Sequence, residues 1–274
     1  MDTATNNEVI EFNVITGATG GLGKEFAKQL LDKGEPIFIT ARSEEKLFLL
    51  KRELTAKYKN AVIEYKKCDL VNEEDRKAFF DNFTNYGYKV KGLYYVAGAD
   101  IRKPFTKYTQ RTVVFQARVN YEACIDFTNF TLSNRAENLK ILVVSSLTGI
   151  TPMPYFAEYS SLKGALISFF TALRYELKNS NVKITVLTPG SIPTRSDIKQ
   201  DIEKQGLQGK LSKKSPEYVV KKGLSALEKN KLTCTPGFYN KVVKFVTKIT
   251  PLSLKLKIVA KKLKNLEKDA FTND

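Results

Sequence analysis

Hydrophobic and polar residues follow two spacing patterns along the chain, and segments with one pattern alternate with segments with the other. Short apolar runs predict strands at 9–16, 36–40, 61–66, 92–96, 140–145 and 183–187. Between these runs, apolar residues recur every three or four positions and predict helices at 24–33, 44–57, 73–85, 112–132 and 155–178. Strands that alternate with helices are typical of the α/β class, so we predict a doubly wound (Rossmann) parallel sheet with helices on both faces.

The pattern changes beyond the sixth predicted strand. Residues 191–215 are polar and lack a clear period, as expected for a mobile loop or a short helical lid over a site. Helices are predicted to follow at 216–229, 238–249 and 252–268. We therefore predict one domain, with a core at 1–190, a substrate lid and the last core elements at 191–235, and a basic amphipathic helical extension at 236–274.

The last predicted helix carries a stripe of apolar residues between lysines: Leu252, Leu256, Val259, Leu263 and Leu266. Most helices of this kind cover a core or a contact between subunits. A second interpretation is that the extension lies peripherally on an anionic membrane, with the lysines facing the headgroups and the leucine stripe facing inward.

The composition fits a globular protein with an uneven charge. The 274 residues are 42% hydrophobic and 27% charged, and 45 Lys and Arg against 29 Asp and Glu give a net charge of +16. Residues 195–274 alone hold 19 basic and 8 acidic side chains. This field attracts phosphates, anionic headgroups or acidic cofactors, or else it is a solvated lysine-rich surface.

The residue inventory excludes several kinds of chemistry. The chain has no histidine, which excludes Ser-His-Asp and Cys-His machinery and imidazole zinc sites, and we expect no metal. Cys68, Cys124 and Cys234 are too few and too scattered for a disulfide framework, so free thiols in a reducing compartment are expected. Without a signal peptide or an apolar run of about 18 residues, we expect a cytoplasmic protein.

A glycine-rich segment, Gly17-Ala-Thr-Gly-Gly-Leu-Gly23, joins the first predicted strand to the first predicted helix. Gly17 permits a tight turn, and Gly21 and Gly23 permit the backbone to approach a phosphate and the helix to approach the sheet. Because a helix start presents unpaired N–H groups and a positive dipole end, this segment predicts a dinucleotide site. The core at 1–190 is then a dinucleotide-binding and catalytic unit.

The spacing Thr16-Gly-x-x-x-Gly-x-Gly23, together with Tyr159-x-x-x-Lys163, resembles the short-chain dehydrogenase/reductase family. Ser146 lies thirteen residues before the tyrosine, and Asn120 stands where that family's catalytic asparagine is expected. The resemblance covers about residues 9–195. It implies that Tyr159, Lys163, Ser146 and Asn120 are catalytic, that Lys163 reaches the nicotinamide ribose, and that Asn120 holds a water that resupplies protons.

The resemblance also implies a set of cofactor contacts. The expected cofactor-binding residues are Gly17, Thr19, Gly20, Gly21, Leu22, Gly23, Arg42, Ser43, Asp69, Leu70, Ala97, Gly98, Lys163, Pro189, Gly190, Ile192 and Thr194. One segment departs from the family, because its Asn-Asn-Ala-Gly is replaced by Tyr95-Val96-Ala97-Gly98. We expect altered local packing there without loss of activity.

The chemistry of the tetrad can be argued from the residues themselves. Reduction of a ketone needs a proton donor at the developing alkoxide, and an ordinary tyrosine is regenerated poorly near neutral pH. Lys163, one helical turn after Tyr159, favours the phenolate and so lowers the pKa of the phenol. Ser146, at the end of a strand, can donate a hydrogen bond to the carbonyl oxygen.

The cofactor type is predicted from the end of the second strand. An acidic residue there binds the ribose 2′-OH of NAD, whereas a basic residue accommodates the 2′-phosphate of NADP. Arg42 and Ser43 occupy this place, so NADP(H) is predicted.

Residues 147–156 are apolar and proline-rich. The resemblance places this segment beside the substrate, which favours a lipophilic ketone, aldehyde or alcohol, although structural packing of the loop explains the same residues. A β-ketoacyl thioester reductase is an alternative, because a phosphopantetheine on CoA or an acidic acyl carrier would suit the basic C-terminus. A non-catalytic NADP(H)-binding sensor or scaffold is another. Charge alone also allows nucleic-acid binding, but the chain has no recognition motif for it, and we expect none.

A homodimer or homotetramer is expected from the resemblance, through the helices at 112–132 and 155–178. These helices carry five aromatic residues that look exposed in the sequence, although core packing explains them nearly as well: Tyr121, Phe127, Phe130, Phe169 and Phe170.

Overall fold

The predicted alternation of strands and helices is present in the computed structural model, which describes residues 9–194, 198, 202–203 and 206–264. The strands are β1 (Glu11–Thr16), β2 (Ile37–Ala41), β3 (Ile63–Lys67), β4 (Lys89–Tyr95), β5 (Arg135–Val144), β6 (Val182–Leu187) and β7 (Thr233–Cys234). They form one parallel sheet in the order β3-β2-β1-β4-β5-β6-β7. The order reverses between β1 and β4, and in such sheets ligands bind outside the carboxyl ends of the strands at that point.

The helices cover both faces of the sheet. They are α1 (Gly21–Leu31), α2 (Glu44–Lys57), α3 (Glu73–Asn85), α4 (Gln110–Ala117), α5 (Ala123–Ser133), α6 (Ala157–Glu176), α7 (Gly206–Ser212), α8 (Pro216–Glu228), α9 (Phe238–Ile249) and α10 (Leu252–Leu263). A π-helical turn, Arg118–Glu122, joins α4 to α5, and a short 3-10 turn, Leu147–Ile150, follows β5. Within the described residues, no helix is long and apolar enough to cross a membrane.

Two apolar cores lie on opposite faces of the sheet. One contains an aromatic cluster in which Phe12, Phe38, Phe79 and Phe83 meet at ring-centre distances of 5.3–6.3 Å. The other contains the buried faces of α1, α2 and α8. Because the carboxyl-terminal halves of β1, β4, β5 and β6 are buried on both faces, their residues there are mostly apolar and do not alternate with exposed polar ones.

The predicted element boundaries are correct for several helices and wrong for others. Helix α2 and helix α3 have the predicted limits because Ser43 and Asn72 cap their first turns. Helix α1 begins at Gly21 and not at residue 24, so the glycines belong to its first turn. The single helix predicted at 112–132 is divided by the π-helical turn, and the two-residue strand β7 was not predicted. Residues 265–268 of the last predicted helix, including Leu266, lie outside the described residues.

The aromatic residues of the predicted subunit contact belong to the core. Phe127 and Phe170 are fully buried, and Tyr121, Phe130 and Phe169 are partly buried against the same cluster. Their appearance as exposed residues was wrong, because the packing partners come from β4, β5 and α3, far away in sequence. They give no support to a subunit contact through these side chains.

Candidate active site

The turn between β1 and α1 brings the backbone to the edge of the sheet where its order reverses. Gly17 has a φ of +63°, which residues with side chains rarely adopt. A Cβ atom on Gly23 would lie closer than 3.0 Å to the Gly17 carbonyl oxygen, so α1 packs directly on the turn. Gly20 is the N-cap of α1, and no side chain caps the first N–H groups. With the half-buried Thr19 beside them, these N–H groups form a cradle that fits a phosphate.

Residues from two other segments close around this cradle. A Cβ atom on Gly17 would meet the backbone of Ala97, after β4, at 3.0 Å. A Cβ atom on Gly21 would meet the side chain of Thr194 at 3.1 Å. The side chain of Leu22 is buried in the core, so this residue can offer only its backbone to a ligand.

Lys163 and Tyr159 lie side by side at the carboxyl end of β5. The Lys163 Nζ atom donates a hydrogen bond of 3.0 Å to the carbonyl oxygen of Val144, the last residue of β5. The same nitrogen lies 5.7 Å from the centre of the Tyr159 ring. Ser146, two residues beyond Val144, begins the 3-10 turn, and its hydroxyl accepts a hydrogen bond from the Thr148 N–H at 3.2 Å. The Ser146 proton therefore remains available for a substrate oxygen.

Asn120 joins this group through the segment after β4. A Cβ atom on Gly98 would lie 3.0 Å from Asn120 Oδ1 and 3.1 Å from Lys163 Nζ. The buried Asn120 amide donates to the carbonyls of Ala99 (2.8 Å) and Gln116 (3.1 Å), and its oxygen accepts from the Ala99 N–H (3.3 Å). Its side chain thus fixes the π-helical turn against the segment after β4, and π-helical turns are frequent at functional sites. Its part in a proton relay stays a prediction.

Burial controls the acidity of Lys163. Only 3% of the residue is exposed. Burial lowers the pKa of the ammonium from 10.5 to about 8, and Cys124 and Asp100 oppose the shift. The ammonium still carries its proton at neutral pH, where it can favour the neighbouring phenolate.

This lowered pKa predicts a pH-dependent stability. Between about pH 8 and pH 10.5 the unfolded chain binds more protons at Lys163 than the folded protein does, so the free energy of unfolding rises with pH in this window. Replacing Lys163 with Met removes the contribution. Urea unfolding should show wild type gaining roughly 2 kcal/mol on the variant between about pH 7 and about pH 10. A difference that stays constant with pH would contradict the buried charge.

Tyr95 stands at the end of β4, in the segment that departs from the family's Asn-Asn-Ala-Gly. The Tyr95 ring is fully buried, and its hydroxyl donates a hydrogen bond of 2.7 Å to the Val119 carbonyl, next to Asn120. The N–H groups of Val96 and Ala97 donate to the Thr16 hydroxyl at the end of β1. The end of β4 is therefore held by a phenol and a threonine, and the expected difference in packing from the family stays a prediction.

Arg42 and Ser43 lie where β2 ends, on the same edge of the sheet as the glycine turn. Arg42 is exposed, so its guanidinium can meet a ligand. The Ser43 hydroxyl accepts a hydrogen bond from the Lys46 N–H as the N-cap of α2, which leaves its proton for a phosphate. The start of α2 adds a second positive dipole end at this point.

Asp69 and Leu70 form a rigid segment after β3. The Asp69 carboxylate accepts a hydrogen bond from the Val71 N–H at 3.1 Å, and the Asp69 N–H donates to the Asp75 carboxylate at 2.9 Å. The Leu70 carbonyl accepts from the buried Arg76 guanidinium at 2.7 Å. The segment is thus fixed in position at the β3 side of the crevice.

The Pro189-Gly190 segment after β6 links the turn after Ser146 to the glycine turn. The Pro189 carbonyl accepts a hydrogen bond of 3.1 Å from the Leu147 N–H. Ile192 packs against the core beneath α1, and its carbonyl accepts from the Thr194 N–H at 2.8 Å. Pro189, Gly190, Ile192 and Thr194 therefore run from the turn after Ser146 to the glycine turn, and their contacts with a cofactor stay a prediction.

Asn240 of α9 is a residue of this region that the sequence reasoning missed. Its buried amide donates to the carbonyls of Ser212 (3.0 Å) and Pro236 (2.8 Å), and its oxygen accepts from the Ser212 hydroxyl (2.9 Å). A Cβ atom on Gly190 would lie 2.8 Å from this amide. The only signal in the sequence is an asparagine two residues into an otherwise apolar and basic helix.

Apolar side chains lie beside the Tyr159 ring and line a cavity next to this part of the site. The Phe156 ring stacks on Tyr159 at 4.5 Å, and the buried Arg102 guanidinium lies 6.0 Å from the centre of the Phe156 ring. A cavity of about 440 Å³ lies between the loop 149–154, the start of α6 and Leu256 of α10. Of this lining, the family resemblance implied only the loop to lie beside a substrate, and Tyr159, Lys163 and Ser146 are not part of the lining.

Within the described residues, no group of acidic or cysteine side chains could hold a metal ion. Cys68, Cys124 and Cys234 are all free thiols, as predicted. The site therefore offers a phosphate cradle, a phenol beside a buried ammonium, and a serine hydroxyl. These groups can bind a dinucleotide and exchange a proton with an oxygen atom.

The chain is similar to known proteins. A family model described as short chain dehydrogenase matches residues 11–205. The chain is 30% identical over 195 residues to 11-beta-hydroxysteroid dehydrogenase-like 2 of Arabidopsis thaliana, a match that covers 70% of this chain and 63% of that protein. It is 28% identical to a very-long-chain 3-oxoacyl-CoA reductase of Neurospora crassa, over 86% of this chain and 72% of that protein.

The fold is shared with solved structures. A short-chain dehydrogenase from Sphingobium yanoikuyae in complex with NADPH superposes with a TM-score of 0.73 at 17% identity, over 95% of this chain and 99% of the other. The predicted doubly wound fold is confirmed.

Proposed function

Because the chain belongs to the short-chain dehydrogenase/reductase family, we propose that it is an NADP(H)-dependent oxidoreductase that interconverts a lipophilic ketone or aldehyde and its alcohol. The observation that carries this proposal is the buried Lys163 ammonium beside the Tyr159 ring, at the sheet edge that also holds the glycine cradle. A protein that only bound the dinucleotide would need no such proton donor.

Tyr159 acts as the general acid and base. In the direction of reduction its hydroxyl gives a proton to the oxygen of the former carbonyl group, and in the direction of oxidation the phenolate takes that proton back. Lys163 keeps its proton at neutral pH and lies close enough to stabilise the phenolate between these events. This is how a chain without histidine handles a proton near neutral pH.

Ser146 stabilises the charge that develops on the substrate oxygen. Its hydroxyl already accepts a hydrogen bond from Thr148 and can donate its own proton outward. Asn120 keeps Gly98 and the segment after β4 in place beside Lys163. Ser146 therefore orients the substrate carbonyl, and Asn120 fixes the position of the segment after β4 that lines the site.

The glycine cradle, Arg42 and Ser43 support NADP(H) as the cofactor, which supplies or accepts the hydride when bound. The uncapped start of α1 would hold the pyrophosphate, and Arg42 with Ser43 would hold the 2′-phosphate. Solved relatives of the same fold bind NADPH.

The apolar wall supports a lipophilic substrate. Phe156 stacks against Tyr159, and Ile150, Met153 and Leu256 line the neighbouring cavity. A β-ketoacyl thioester is the second candidate, because one similar protein is a very-long-chain 3-oxoacyl-CoA reductase and the C-terminal lysines suit an acidic carrier. In the direction of reduction, either substrate class presents a carbonyl group to Tyr159.

The direct test is NADPH consumption by the full chain over ketones, aldehydes, steroids and 3-oxoacyl thioesters. We expect turnover of lipophilic carbonyl compounds. Turnover of thioesters alone would favour the second candidate, and a lack of turnover with the whole panel would contradict an enzymatic role for these carbonyl classes.

Replacing Arg42 with Gln tests the choice of cofactor. A charge-assisted hydrogen bond to a phosphate contributes about 1.5–3 kcal/mol. We therefore expect kcat/KM for NADPH to fall by roughly tenfold to a hundredfold, and kcat/KM for NADH to change little. The matched control is Arg52→Gln, an exposed arginine on α2. A preference of the wild type for NADH, or an equal loss with both cofactors, would contradict the role of Arg42.

A further inference from the structure

Helix α9 turns its apolar face toward solvent. Phe238, Phe245 and Ile249 lie on one side of the helix and are 83%, 64% and 66% exposed. Val242 and Val246 lie on the same side and are also exposed. An amphipathic helix on a soluble protein ordinarily buries this face.

The opposite side of α9 is polar and buried, which fixes the orientation of the helix. Asn240 is 1% exposed and makes the three hydrogen bonds to Ser212 and Pro236 described above. Rotating α9 to bury its phenylalanines would break these bonds and leave a buried amide unpaired. The exposed apolar face is therefore held outward by specific contacts.

Other helices of this chain behave differently. Helix α8 buries Val219, Val220, Leu224 and Leu227 and keeps its lysines in solvent. The burial of these residues shows that an amphipathic helix of this protein can bury its apolar face. The exposed face of α9 is a local feature.

The surroundings of this apolar face are strongly basic. Residues 236–264 contain eight lysines and no acidic residue. Lys241 and Lys248 lie exposed along one flank of α9, and Lys257 and Lys261 lie exposed on α10. Leu254 and Ile258 of α10 are exposed between these lysines. Lys255 ties α10 to α9 through a hydrogen bond of 3.0 Å to the Thr247 carbonyl.

We propose that α9 docks on an anionic lipid surface, with Phe238, Phe245 and Ile249 entering the boundary between headgroups and acyl chains. Lysine stems lie along such a boundary while their ammonium groups meet lipid phosphates and carboxylates. The charge favours lipid over a second copy of this chain, because two such faces would bring the lysines of 236–264 against each other, and this range contains no acidic residue. On α10, Leu256, Val259 and Leu263 are half-buried and face the protein, whereas Leu254 and Ile258 are exposed. Leu254 and Ile258 can therefore contact the same lipid surface.

Vesicle flotation of the full chain tests the proposal. The probes are vesicles of phosphatidylcholine alone and vesicles in which phosphatidylserine replaces part of it. We expect binding to the anionic vesicles, weakened at high salt, and much weaker binding to the neutral ones. Lack of binding to the anionic vesicles, or equal binding to both, would overturn the proposal.

Two double variants of α9, each with a control on another helix, test which residues contact the vesicles. Phe245→Ser with Ile249→Ser should lower the partition coefficient by at least about tenfold, whereas Phe48→Ser on α2, also an exposed phenylalanine, should leave it unchanged. Lys241→Gln with Lys248→Gln should lower it roughly fivefold per lysine, whereas Lys221→Gln on α8 should have a much smaller effect. Unchanged binding by both α9 double variants would overturn the proposal.

Two further measurements test whether the α9 variants remain folded and active and whether the protein forms dimers. Thermal unfolding and turnover of a water-soluble carbonyl compound should be unchanged in the α9 variants, because these side chains are exposed and lie outside the catalytic group. Light scattering gives the oligomeric state. A wild type that dimerises without binding vesicles, and that becomes monomeric when Phe245 and Ile249 are replaced, would show that a second copy covers this face.

Discussion

Replacement of Tyr159 with Phe is expected to lower kcat/KM for carbonyl reduction by ~10²–10⁴-fold, the usual contribution of a positioned proton donor. The variant loses only the hydroxyl, and the ring can keep its stacking on Phe156 at 4.5 Å. Lys163 keeps its hydrogen bond to Val144, so the wall of the site stays in place. The rate is followed by the loss of NADPH, and NADPH binding measured by fluorescence should be close to that of wild type.

A matched control exists on the same helix. Tyr175 is an exposed tyrosine of α6 with the Lys178 ammonium 4.3 Å from its ring centre, so it repeats the Tyr-Lys pairing outside the site. Tyr175→Phe should leave the rate unchanged. If Tyr159→Phe also left the rate unchanged, Tyr159 would not be the proton donor.

Replacement of Gly23 with Ala is expected to destabilise the fold and remove NADPH binding together. The added Cβ would overlap the Gly17 carbonyl oxygen and lie 2.7 Å from Ala18 Cα. Both are backbone atoms in a turn at the end of a buried strand, so α1 must move. Overpacking of this kind costs about 1–3 kcal/mol. The movement also opens the phosphate cradle, which urea unfolding and NADPH titration would detect together.

Gly20→Ala is the control within the same turn. A Cβ atom at Gly20 would lie 3.4 Å from the Gly17 carbonyl oxygen, an ordinary contact, and the backbone φ of −78° suits alanine. Its free energy of unfolding should therefore be close to that of wild type. If Gly23→Ala were equally stable and bound NADPH normally, the close packing of α1 on the turn would not be needed.

The sequence was most informative where structure is determined locally. The limits of α2 and α3 follow from Ser43 and Asn72, whose side chains cap the next turn without help from distant residues. The catalytic pair is equally local, because Tyr159 and Lys163 are one helical turn apart. Buried parallel strands are apolar runs, so the alternation of elements and the fold class could be predicted.

Features that depend on contacts between distant segments could not be predicted. The π-helical turn at 118–122 is held by bonds from Asn120 to Ala99, a residue of another element. Tyr95 replaces an asparagine by reaching the Val119 carbonyl, which its sequence position does not indicate. The orientation of α9 depends on the hydrogen bonds between Asn240 and Ser212, two residues 28 positions apart, which its apolar pattern alone does not indicate.

Helix α9 contacts the turn Leu147–Ile150. For an enzyme adsorbed through α9, the reaction rate therefore depends on the concentration of substrate in the lipid and not on its concentration in water. An enzyme adsorbed through α9 has the turn after Ser146 on the inner side of that helix, near a lipid surface where an oily ketone is enriched by partitioning. Its apparent KM would then be a mole fraction of substrate in the bilayer, and adding lipid at constant substrate would slow the reaction by surface dilution. A kinetic constant measured in detergent-free buffer would describe a different phase from the one in which the enzyme works.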